Sequence, residues 1–218
     1  MTGPVITRID QRKLRENVYA ALRDAFTRGE FAPGDVVNLR TLADQMGTSM
    51  TPVREAVRRL VAEGALTDTP SRTLEVPRFN LERMHDLKRA RLALETLVVD
   101  MAMDKIDATT IEQLEETINR PRLSASGEID QTQNYDFHFT LYRACESKVL
   151  LPMIEALWLQ YGAYLNLISK HPDAEKIEVH SHHQEIIEAL RRKDAEAAKR
   201  SLSCDIERSF RVLYPEPD

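Results

Sequence analysis

LRTLADQMGTSMTPVREAVRRLVAEGAL, residues 39–66, decides the fold of the first third of this 218-residue chain. Leu39, Leu42, Ala43 and Met46 recur at helical spacing and make one apolar face. Gly47 supplies the left-handed conformation that ends such a helix. Ser49 or Thr51 caps the next helix, Pro52 sits in its first turn, and Glu55 follows at a capping-box-like spacing. Val53, Ala56, Val57 and Leu60 face inward, while Arg54 and Arg58, with Arg59 beside them, point outward. Two short helices joined by a tight turn are how a helix-turn-helix lays its second helix in the major groove of DNA. The N–H groups opening that helix bring Ser49, Met50 and Thr51 against phosphates. Arg54, one turn further in, reaches a guanine edge, because its fork matches O6 and N7.

The flanking sequence fits the same frame. A helix is expected over 11–28, with Leu14, Val18, Leu22 and Phe26 as its apolar stripe and Gly29 at its end. Residues 31–35 make a turn. Leu66, Thr67, Thr73, Leu74 and Val76 suit two short strands joined by a turn over 69–72, a β-hairpin wing whose tip residue Arg72 enters the adjacent minor groove. The run SMTPVREAVRRL (49–60), followed by AEGAL (62–66), resembles the GntR family of bacterial transcription regulators, over about residues 10–77. That resemblance implies DNA contacts from Arg40, Ser49, Thr51 and Arg54, and a wing that includes Arg72. Met50 stands where the family commonly has arginine, which replaces a polar contact by an apolar one, such as a thymine methyl. Ser71 stands where the wing usually has glycine.

Composition is that of an ordinary globular protein: 42% apolar residues, 30% charged and seven glycines. No apolar run is long enough to cross a membrane, and residues 1–10 lack a signal-peptide core. Two cysteines, Cys145 and Cys204, are too few for a disulfide framework, so a reducing cytoplasm is expected, with both as small buried or half-buried apolar side chains. The net charge of −5 is unevenly spread. Residues 1–77 carry 11 Lys/Arg against 10 Asp/Glu, and the remainder 19 against 25. Positive charge must therefore be gathered on one face of the first part, and DNA binding should depend markedly on salt.

From Leu81 onward the pattern is almost wholly helical, with helices expected over 81–104, 109–119, 129–145, 149–169, 174–192 and 195–213. The fold class is mainly α. An N-terminal winged helix-turn-helix with a small β-hairpin wing (1–77) precedes an antiparallel all-α bundle of six or seven helices (78–218). A short connector over 76–80 allows little swing between them.

Within the bundle, Asn134 and His138 lie four apart on one helix face. His183 opens an apolar run, whereas His180 and His182 belong to a solvated polar face. His183 precedes the turn near Lys193 by roughly as many residues as Asp205 follows it, so the two reach one height in an antiparallel pair. Two imidazoles, a carboxylate and an amide oxygen suit a divalent transition metal with open positions. Arg91 is the group best built to clamp a ligand carboxylate, or else it pairs with Glu95 four residues on. Trp158, Tyr161 and Tyr164 fall at helical spacing and read as core. The segments 91–95, 137–141 and 183–190 resemble the FCD effector domain of the FadR subfamily, over roughly residues 81–212. In metal-binding members an aspartate and three histidines hold a zinc- or nickel-like ion below a cavity for a small carboxylate. The resemblance puts Asn134, His138, His183 and Asp205 at those four places, so two of the four ligands are changed. Either a swapped set still holds metal, or these groups hold effector directly.

The function expected is a homodimeric, metabolite-responsive repressor. It binds a double-stranded operator through Arg40, Ser49, Met50, Thr51, Arg54, Arg58 and Arg72, and it is released when a small carboxylate binds beside Arg91, Asn134, His138 and His183. No enzyme activity and no membrane partner are expected. The alternatives are a metal-dependent enzyme in the helical part, an effector-independent DNA-binding module and a regulator that responds to acyl-CoA.

Overall fold

The computed structural model describes residues 10–69, 73–121, 132–171 and 180–213. Helix α1 spans Gln11–Thr27, β1 Val36–Val37, α2 Leu39–Gln45, α3 Met50–Ala62, β2 Thr67–Asp68 and β3 Leu74–Glu75. These elements form the N-terminal head. Val53, Ala56, Val57 and Leu60 of α3 are all buried, joined by Val18, Leu22 and Phe26 of α1 and by Leu42 and Ala43 of α2. Gly47 (φ +61°) and Gly29 (φ +73°) end their helices in the left-handed region, as expected.

The β2–β3 hairpin forms as expected, and two local details differ. The strands form a three-stranded antiparallel sheet in the order β1-β3-β2, with Val37 opposite Leu74 and Thr67 opposite Glu75. A two-residue strand such as β1 is too short to leave a period in the sequence. Ser49 is the N-cap of α3, Thr51 lies inside the helix, and no side chain caps this end. Glu55 is drawn instead to Arg15, at 3.3 Å. The wing tip, including Ser71 and Arg72, lies outside the described residues.

Caps elsewhere are made as the sequence dictates. Asp10 and Asn38 accept from the first-turn N–H groups of α1 and α2, with Asn38 Oδ1 2.9 Å from the Arg40 amide and 3.2 Å from that of Thr41. Asn38→Ala removes both bonds. It should cost about 1 kcal/mol and lower the thermal midpoint by roughly 2–4 °C, measurable by differential scanning calorimetry.

The remaining described helices are α4 Leu81–Ala102, α5 Ala108–Asn119, α6 Thr132–Arg143, α7 Leu150–Ser169, α8 Ser181–Arg191 and α9 Ala195–Arg211. They match the expected six to within a few residues. The expected stretches 129–131 and 174–179 fall outside the described residues. One core joins them, built from Met84, Val98, Val99, Leu114, Phe137, Phe139, Trp158, Ile186, Leu190, Leu202 and Phe210, among others. Lys193 (φ +55°) makes the tight turn between α8 and α9. Cys145 is buried, but Cys204 is exposed rather than half-buried. Among the described residues, no helix is long and apolar enough to cross a membrane.

Helix α7 belongs to both cores. Trp158, Tyr161, Leu165 and Ile168 pack in the helical bundle, while Leu159 and Ala163 pack with the head. An apolar helix between two cores has partners on both sides, which is why α7 reads as apolar almost all round.

Candidate functional site

On the head, Ser49, Met50, Thr51, Arg54 and Arg58 of α3 are all exposed, and so is Arg40 at the start of α2. This follows from helical spacing, because the residues between them are the buried ones. Among the described residues, no ion pair holds Arg40, Arg54 or Arg58. Arg59 is engaged: its guanidinium lies 3.6 Å over the Tyr19 ring and its Nε is 3.2 Å from Glu63. Three free guanidinium groups, the exposed opening turn of α3 and an uncapped helix end therefore share the head's outer face.

Inside the bundle, His138 of α6, His183 of α8 and Asp205 of α9 converge. His138 Nε2 lies 3.1 Å from Asp205 Oδ2, His183 Nε2 lies 3.7 Å from Asp205 Oδ1, and the two Nε2 atoms are 3.3 Å apart. Both histidines are fully buried and Asp205 is 4% exposed. The height match between α8 and α9 read from the sequence is thus realised. Asn134, one turn before His138 on α6, is half-buried. His180 departs from expectation: it is half-buried, with Nδ1 3.2 Å from Nδ1 of His183, because the α8 N-terminus turns into the site. His182 is likewise half-buried, with Nδ1 3.0 Å from Glu185.

Arg91 is buried and forms the Glu95 pair, Nε to Oε1 at 2.7 Å and Nη2 to Oε2 at 3.3 Å. It lies 4.0 Å from the Tyr161 ring centroid and 4.5 Å from that of Trp158. Its third nitrogen, Nη1, is buried with no hydrogen-bond partner among the described residues. Burial disfavours its charge, but the coulombic pull and hydrogen bond of Glu95 outweigh this and raise its pKa further, so it stays charged.

The network extends through residues that the sequence reading did not place in the site. Tyr142 donates to Glu95 Oε2 at 2.5 Å and faces His138 Nδ1 at 2.9 Å. Trp158 Nε1 donates to Glu95 Oε1 at 3.1 Å, and Arg208 Nη2 donates to Asp205 Oδ1 at 2.5 Å. Helical spacing carried a signal for two of them: Tyr142 is four residues from His138, and Arg208 three from Asp205.

Proton placement follows. Tyr142 has one hydroxyl proton and gives it to Glu95, so its oxygen accepts from His138 Nδ1–H. Burial pulls His183 below the usual imidazole range, against the opposing pull of Asp205. Burial would push the Asp205 carboxyl up, but the facing His183 and the hydrogen bonds from both histidines outweigh it and hold it ionised. Two imidazole nitrogens and a carboxylate thus face one point, and their ligand atoms lie within 4.8 Å of one another. A tetrahedral ion with bonds of about 2.0–2.2 Å needs ligand atoms about 3.3–3.6 Å apart, close to the His138–His183 and His138–Asp205 Oδ2 separations. The Tyr142–Glu95 pair behind His138 is the kind of outer support that fixes a ligating imidazole. The donor set fits a divalent metal.

Comparison with known proteins places these features. Residues 86–208 match the FCD domain, and residues 14–76 match the bacterial regulatory proteins of the gntR family. The chain is 27% identical over 199 residues to the HTH-type transcriptional regulator McbR of Escherichia coli, covering 89% of this chain and 90% of that one. The solved structure of E. coli McbR/YncC superposes with a TM-score of 0.84 at 28% identity, covering 92% of this chain and 97% of that one. A putative transcriptional regulator GntR from Rhodococcus sp. RHA1 shares the fold, with a TM-score of 0.70 at 20% identity over 94% of this chain and all of that one (100%). Its relatives are named as transcriptional regulators, not as enzymes. This chain therefore belongs to the GntR family of DNA-binding transcription regulators, in which a winged helix-turn-helix is joined to an FCD domain.

Proposed function

We propose that the protein is a homodimeric repressor, with residues 1–77 as the DNA-binding head and 78–218 as the effector-binding and dimerisation domain. The FCD pairing fits the FadR subfamily. The head binds operator DNA through Arg40, Ser49, Met50, Thr51, Arg54, Arg58 and Arg72, and a small carboxylate bound in the helical domain releases it. The observation that carries the effector half is the convergence of His138, His183 and Asp205 in a buried site, close by hydrogen bonds to a buried Arg91 with one unpartnered nitrogen. A divalent zinc- or nickel-like ion would be held by His138 Nε2, His183 Nε2 and Asp205 Oδ2, with Asn134 one turn away on α6. Bound there, it supplies a Lewis-acidic position for an effector carboxylate. Arg91 Nη1 supplies a donor to the same anion. Such a ligand shifts the molecule only if it binds the released state more tightly than the DNA-bound one.

The test is metal stoichiometry by native mass spectrometry after equilibration with Zn²⁺ or Ni²⁺, followed by a thermal-shift panel of small mono- and dicarboxylates. One ion per chain, lost in His183→Ala, and a midpoint raised by at least one carboxylate are expected. Tyr142→Phe, which removes the support behind His138, should weaken metal binding about 10–100-fold without unfolding the chain. Absence of both metal uptake and any carboxylate response contradicts the reading. A second reading rests on Arg208, whose guanidinium already neutralises Asp205. In it the site holds the carboxylate without metal, and the panel responds although no ion is taken up.

A further inference from the structure

The head does not hang from the bundle by the 76–80 connector alone. Its two long helices end on α7. At the end of α3, Gln160 Nε2 donates to the Glu63 carbonyl at 3.1 Å, and Arg83 Nη2 donates to the Gly64 carbonyl at 3.0 Å. Arg83 Nη2 also donates to Gln160 Oε1 at 2.7 Å, which locks the two clamps together. At the end of α1, Asn166 Nδ2 donates to the Gly29 carbonyl at 2.5 Å. The carbonyls at and just past a helix end have no partner within it and lie at its negative end, so amide and guanidinium donors are the groups suited to hold them.

Close approach makes this seat specific. A Cβ on Gly162 would lie 1.8 Å from the Phe26 carbonyl oxygen, so no larger residue fits between α7 and α1. Gly64 (φ +77°) carries the α3 end into contact with Gln160, and its own Cβ would meet that side chain at 3.0 Å. Two residues before Gln160 on the same helix, Trp158 donates to Glu95 and stacks on Arg91. One rigid helix thus touches the buried ligand network with one face and the carbonyl end of the recognition helix with the other.

We infer that α7 couples the buried site to the recognition helix, with Gln160, Arg83, Gly162 and Asn166 as the residues that position the head on it. The inference rests on the proposed ligand role of the buried site and names the route by which that site acts on DNA binding. Rearrangement at Arg91 and Glu95 moves Trp158, α7 moves with it, and the α3 end follows through its two clamped carbonyls. Packed elements of this kind switch between discrete arrangements rather than deforming smoothly. Coupling is reciprocal, so DNA bound at α3 must alter the buried site by the same factor.

Trp158 is the chain's single tryptophan and reports the bundle side of α7. The experiment uses a duplex that the full-length protein selects from a random-sequence pool, with Zn²⁺ alone as the probe of the buried site. Adding the duplex should shift Trp158 emission and change Zn²⁺ affinity about 5–150-fold, the usual range of such coupling. In Gln160→Ala the duplex still binds, but the emission shift is lost and the Zn²⁺ affinity ratio falls to near one. Gly162→Ala, which unseats the head, gives the same loss more completely. Rescue of both readouts by Gln160→Asn but not by Gln160→Leu distinguishes the carbonyl clamp from mere packing. Selection of no duplex removes the DNA-binding reading itself. Lack of Zn²⁺ binding removes the metal, and Trp158 emission then carries the test alone. The coupling is overturned if the duplex binds but Trp158 emission does not change, or if Gln160→Ala responds as the unaltered chain does.

Discussion

Replacing Glu95 by alanine will destabilise the protein by about 3–5 kcal/mol, which lowers its thermal midpoint by roughly 6–20 °C. Glu95 is fully buried, and its two oxygens accept from Arg91 Nε and Nη2, the Tyr142 hydroxyl and Trp158 Nε1. Alanine leaves the Arg91 cation between two aromatic rings with no counter-charge and strips partners from two further donors, the Tyr142 hydroxyl and Trp158 Nε1. Desolvation decides the size of the effect: the exposed Arg12–Glu16 pair, at a similar 3.1 Å, sits in water. Exposed pairs contribute about 0–1 kcal/mol, so Glu16→Ala should scarcely register. Glu95→Gln keeps the acceptor shape and should cost less than Glu95→Ala. A calorimetric midpoint for Glu95→Ala within a degree of the parent would contradict the buried-network account.

Arg54→Ala is expected to weaken binding to the selected duplex by roughly 1–3 kcal/mol, about 5–150-fold, and to relax base preference at one position of each half-site. Arg54 is exposed one turn into α3, and among the described residues no acid claims its guanidinium. Alanine keeps helix propensity and removes no buried contact, so the thermal midpoint should stay unchanged. Arg58→Ala should act differently, weakening all duplexes alike and lowering the salt slope by about one, the signature of a phosphate contact. Fluorescence anisotropy at several salt concentrations separates the two. Equal losses on every sequence for Arg54→Ala would move it from base reading to the backbone.

The head was legible because its apolar pattern and its glycine helix ends agree. Val53, Ala56, Val57 and Leu60 could be buried by only one helix phase, and that phase exposes Arg54 and Arg58. The meeting of His183 and Asp205 was legible from their distances to the α8–α9 turn. Illegible were the contacts that no period encodes: strand β1, the turn of His180 toward His183, and the second face of α7. An apolar sequence says that α7 is buried, but not that Leu159 and Ala163 belong to a different core from Trp158 and Tyr161. Nothing in the sequence marks Gly162, and only the approach of the Phe26 carbonyl shows why it carries no side chain. The Arg91–Glu95 spacing foretold a pair, but not that it lies in the core with Tyr142 and Trp158 around it.

The most direct test of the central claim, that α3 is the surface that meets DNA, is amide hydrogen exchange of the full-length chain with and without its selected duplex. Protection is expected to concentrate in residues 40–58 and to be strongest at the uncapped opening turn of α3. Unchanged exchange there, with protection confined to helices of the bundle, would contradict it.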